Sequence, residues 1–217
     1  MKNKLTTLIA LAICAIFLSQ CASLTGFQDG RSVGKNNGEI SASLNLSQSP
    51  DFNDWEDLGD SISIPNIYIP SLEFGGRYGV AEKLDITFRF NTNLNVGLGV
   101  KAQVVGDRES KVALALGAEA GTFGLITGLW NFQVPVYFSL HPSQTFSWYL
   151  TPRYVYQFSS YVGADSGANY IGGNTGLLFG NRNKFGLDLG YYRLGAGGES
   201  IGLLQLGIGG RFTIGKN

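Results

Sequence analysis

From Gly38 to the end of the chain, apolar and polar side chains alternate at every second position, interrupted by short polar or glycine-rich stretches. Alternation at period two describes a β-strand with one apolar and one polar face. The clearest case is the closing stretch, residues 201–214: Leu204, Leu206, Ile208, Phe212 and Ile214 share one face, while Gln205, Arg211 and Thr213 lie on the other. The same pattern recurs upstream. Ile40, Ala42 and Leu44 oppose Glu39, Ser41 and Ser43; Phe74 and Tyr78 oppose Glu73 and Arg77; Ile86, Phe88 and Phe90 oppose Asp85, Thr87 and Arg89. Leu98, Val100 and Ala102 oppose Lys101 and Gln103, and Leu114, Leu116 and Ala118 oppose Glu119. In the second half, Phe132, Val134 and Val136 oppose Asn131, Gln133 and Tyr137; Leu150 and Tyr154 oppose Thr151 and Arg153; Leu187, Leu189 and Tyr191 oppose Asp188 and Tyr192. Residues 170–179 form the weakest strand, because glycines and Leu177-Leu178 blur its faces.

Each segment has roughly the 9–11 residues that a tilted transmembrane strand requires, and they total about ten, with eight as the alternative. The pattern therefore predicts an all-β, antiparallel transmembrane barrel over residues 38–217. Compact turns near residues 79–83, 106–110, 141–144 and 181–184 alternate with mostly longer connections at 48–65, 121–129, 158–167 and 195–200; the link at 91–93 is the short exception. Outer-membrane barrels keep short turns on the periplasmic side and longer loops outside, so both termini are expected in the periplasm.

The N-terminus reads as an address. Lys2 and Lys4 precede an apolar run over residues 5–18, the shape of a secretory signal peptide over residues 1–20. Leu18-Ser19-Gln20-Cys21 resembles a bacterial lipobox, which implies an acylated Cys21 as first residue of the mature chain, followed by a polar tether through residue 37. With the termini in the periplasm, that anchor is expected in the inner leaflet. No later window is apolar for long enough to be a transmembrane helix, so a spanning structure in the mature chain must be a barrel.

Composition narrows the function classes. The 217-residue chain carries 16 basic and 16 acidic side chains, a balance with no electrostatic footprint for nucleic acid. Both cysteines lie in the first 21 residues, leaving no disulfide or thiolate metal site in the body. One histidine, His141, beside Pro142 in an expected periplasmic turn, reads as a solvated turn residue rather than a catalyst. Glu73 and Asp85 are the remaining acid–base candidates, with pairing to Arg77 and Arg89 the preferred use. No enzyme, metal or cofactor is expected. The loop at residues 49–61, with Asp51, Asp54, Glu56, Asp57 and Asp60, reads as a solvated acidic loop whose Trp55 is placed to meet a partner or the bilayer interface. Residues 121–129, unusually apolar for a loop, read as strand extension, and Trp130, Trp148, Tyr68, Tyr78 and Tyr191 as interfacial aromatics.

The inward faces collect Glu39, Glu73, Asp85, Glu119 and Asp188 with Arg77, Arg89, Lys101, Arg153 and Arg211. In a narrow barrel these must pair, since an unpaired buried charge costs several kcal/mol. A charge-filled lumen that fixes strand register is the first expectation; a narrow channel for small or hydrophobic solutes is the second.

The whole mature chain resembles the small outer-membrane β-barrel proteins of diderm (Gram-negative) bacteria, with a lipoprotein-type N-terminus. Gly209, Phe212 and Ile214 are similar in spacing to the terminal-strand signal of that class, although the chain runs on through Gly215-Lys216-Asn217. The resemblance implies an integral outer-membrane location, a lipid anchor at Cys21, contact with outer-membrane lipid and the barrel-assembly machinery, and a structural or surface role in which the outer loops meet an extracellular ligand or protein. The remaining alternative is a soluble, lipid-tethered, lipocalin-like binding barrel. That inversion would place Phe88, Leu98, Val136 and Leu189 inside.

Overall fold

The computed structural model describes residues 24–48, 68–123, 128–160, 163–196 and 199–215. Ten strands follow one another: β1 (Gly38–Gln48), β2 (Tyr68–Ala81), β3 (Leu84–Asn91), β4 (Asn95–Val105), β5 (Val112–Phe123), β6 (Leu129–Leu140), β7 (Phe146–Ser159), β8 (Gly163–Phe179), β9 (Asn183–Ala196) and β10 (Glu199–Ile214). Each pairs antiparallel with its sequence neighbours, and β1 pairs with β10 from Gly38↔Ile214 to Ser47↔Gln205, closing the barrel. Closure removes the free edge that would leave backbone N–H and C=O groups unpaired in lipid.

Period-two alternation becomes a two-faced wall. Outward positions are apolar and exposed, with Leu98 60%, Ile208 58%, Phe132 51% and Phe88 43% accessible. Inward positions are polar and buried: Asp85 and Lys101 are at 0%, Gln133 at 1% and Arg153 at 3%. This arrangement is inside-out for a water-soluble protein and corrects the lipocalin-like alternative, since Phe88, Leu98 and Leu189 face outward.

The strands outrun the sequence pattern at one end. We call the end where β1 starts and β10 finishes proximal, and the opposite end distal. Distal connections expected at 158–167 and 195–200 are largely absorbed into β7, β8, β9 and β10, and Gly121-Thr122-Phe123 continues β5 as strand. β8, the weakest by pattern, is the longest at 17 residues; Asn169–Phe179 pairs with both β7 and β9, and beyond it Ala168 and Gly163 pair with β7. Ladder bonds on both sides stabilise a strand whose faces are poorly defined. The acidic cluster and Trp55 fall between β1 and β2, outside the described residues.

The largest departure concerns the stretch ahead of β1. A polar tether was the expectation, yet residues 24–34 lie inside the barrel. Thr25, Phe27, Asp29, Ser32 and Val33 are all 8% exposed or less. The segment descends from the distal half, reaches the proximal rim at Lys35, which bridges Gly79, and turns back into β1. Gly34 carries the reversal at φ 79°, a left-handed conformation that favours glycine.

Candidate functional site: the filled lumen

The wall holds the inner segment with side chains, not by adding a strand. At the distal level, Leu24 packs among Val155, Tyr170, Tyr192, Leu194 and Leu203, and its carbonyl accepts from the Tyr192 hydroxyl at 3.2 Å. The Thr25 carbonyl accepts from Arg153 at 3.1 Å and from Arg89 at 3.4 Å, while Gln205 Nε2 donates to its hydroxyl. One step lower, Gly26 N donates to Asp188 Oδ2 at 3.1 Å and Phe27 N to the Tyr149 hydroxyl at 3.1 Å. The Phe27 ring is buried with Tyr149 and Leu178.

Asp29 is the electrostatic centre. It accepts from Arg211 Nη2 at 2.7 Å and meets Arg77 Nη2 at 3.5 Å. Those two arginines also bracket Glu39, at 2.8 Å from Arg77 Nε and 3.6 Å from Arg211 Nη1. Lys101 Nζ donates to the carbonyls of Asp29 at 2.6 Å and Arg31 at 2.8 Å, and lies 5.0 Å from the Tyr137 ring centre. Toward the proximal rim, Gly30 N donates to Ser139 Oγ, Ser32 N to Gln103 Oε1, and Ser32 Oγ to Asp85 at 2.6 Å. Charge-assisted bonds of this kind are about twice as strong as neutral ones, so the acids and arginines dominate the hold.

The fit is close enough to dictate glycine. A Cβ on Gly30 would lie 2.5 Å from the Ala113 carbonyl oxygen, and one on Gly26 would lie 2.1 Å from Asp188 Oδ1.

All the inward charges predicted from sequence line this lumen. Arg89 and Glu119 form a bidentate pair with contacts of 2.6–3.1 Å, and Arg89 also reaches Gln133. Glu73 is 7% exposed on the same inner wall. The pairing differs from expectation in two respects. Asp188 takes bonds from Tyr149, Asn174 and Gly26 rather than from a base, and Lys101 is spent on backbone carbonyls. Asp29, the acid that two arginines share, was missed because it precedes the alternating region. Tyr149 falls at an inward position of its strand, and that parity is the signal that would have found it.

His141 also departs from its expected solvated state. It is 2% exposed, and its ring Nε2 sits 2.9 Å from Ser139 Oγ, the hydroxyl that accepts from Gly30. Burial pushes its pKa down to about 4 from an ordinary 6.5. Cys21 lies outside the described residues.

No protein-family model and no curated protein sequence matches the chain. Among solved structures it is similar to Ail, the attachment invasion locus protein of Yersinia pestis, at 13% identity and a TM-score of 0.34, covering 82% of this chain and 99% of that one. An outer membrane channel from Pseudomonas putida gives 10% identity and a TM-score of 0.46, with 89% and 100% covered. The N-terminal β-barrel domain of OprF from Pseudomonas aeruginosa gives 13% and 0.32, with 82% and 99% covered.

Proposed function

We propose that the protein is an integral outer-membrane β-barrel of a diderm bacterium, without enzymatic activity, anchored in addition by lipid at Cys21. Its role is structural or surface-interacting, with its distal connections meeting an extracellular ligand or protein. Outer-membrane lipid covers the exposed apolar wall, and the barrel-assembly machinery inserts it. The observation that carries this reading is the combination of an outward apolar face with a lumen occupied by residues 24–34. Apolar surface of this extent is stable in lipid and a liability in water. A lumen threaded by its own chain leaves the solute channel as the lesser reading.

Two measurements test it. The Cys21→Ala protein is expected to stay with membranes through alkaline carbonate extraction; release into the soluble fraction would overturn integral insertion. The refolded mature chain is expected to be electrically silent in planar bilayers. Discrete conductance steps that change size on neutralising Arg89 or Glu119 would instead establish the channel.

A further inference from the structure

We infer that the lumen is a peptide-binding site, built to take a segment with an apolar residue, an aromatic three positions on and an acid two further, then glycine. Here that pattern is supplied in cis by Leu24, Phe27, Asp29 and Gly30. Recognition is by side chains: Lys101 reads the carbonyls of Asp29 and Arg31, Arg211 and Arg77 read the carboxylate, and Asp85, Asp188 and Ser139 read amide N–H groups. Strand addition would need a free sheet edge, which a closed barrel lacks. A side-chain cradle needs none, so the ligand occupies the site without opening the wall. The cradle's chemistry is therefore independent of the covalent link to β1, and the same lumen binds this segment as a separate peptide.

The test uses the full chain, folded first. A protease site inserted between Asn36 and Asn37, at the proximal rim, allows the inner segment to be cut from the finished barrel, whose integrity is checked by heat-modifiable migration. A fluorescent peptide of residues 24–35 is then exchanged into the nicked barrel in detergent and followed by anisotropy. Saturable exchange is expected, competed by unlabelled peptide, with the Asp29→Lys peptide weaker by about tenfold or more, as loss of a charge-assisted contact requires. The uncut barrel should show no exchange. Absence of exchange into the intact nicked barrel, or equal binding of the Asp29→Lys peptide, would overturn the inference. The detergent readout is separate from membrane extraction, so its failure would leave the outer-membrane reading untouched.

Discussion

At the scale of single residues, the lumen separates groups that hold one another from groups held only by the fold. Arg89 and Glu119 are the former. Removing one partner strands a buried charge at a cost of about 3–5 kcal/mol, whereas an apolar pair of similar volume is often neutral. Arg89→Met is therefore expected to lower the urea midpoint sharply, and Arg89→Met with Glu119→Leu to recover most of it, which a double-mutant cycle by refolding titration would measure. His141 is the opposite case. Its pKa of about 4 in the fold lies below the ordinary 6.5, so the unfolded chain takes the proton first. Stability should be flat above neutrality and fall as pH drops from about 6.5 toward 4. His141→Gln should remove that slope, and an NMR titration of the native imidazole should show its midpoint near the lower value; a midpoint above 6 would refute the burial argument. Gly30 supplies a steric probe. Gly30→Val forces a side chain against the Ala113 carbonyl, a strain of about 1–3 kcal/mol, and should free the inner segment to proteolysis before the wall unfolds.

Legibility changes at the scale of elements. Strands were readable because each inward charge, from Glu39 through Arg211, sits at the parity that a half-apolar wall imposes. The distal end of β8 was not, since Gly163 and Gly167 with Ala164, Asp165 and Ser166 carry no apolar phase in the sequence. Residues 24–34 were illegible for a related reason. A segment held by side chains on all sides has no period, and polar residues with three glycines read as linker by composition. Hydrogen–deuterium exchange distinguishes the two. Amides of Gly26, Phe27, Gly30 and Ser32 donate to buried acceptors and should exchange on the timescale of the strands. The exposed turn around Asp107 should exchange far faster; equal rates would mean that the segment does not reside in the lumen.

At the scale of the whole molecule, the chain is a ring drawn around its own beginning. The inner segment precedes β1 in sequence, but its cradle draws on the last strand: Arg211 holds Asp29 and Gln205 reaches Thr25 across separations of 182 and 180 residues. These contacts cannot form until β10 arrives and meets β1. Folding is thus a problem of ordering in time. The N-terminal residues emerge first, wait through the pairing of every intervening hairpin, and are enclosed at the step that zips the seam. A chain stopped before β10 would lack Arg211 and Gln205, so the closing of the seam and the completion of the lumen become one event.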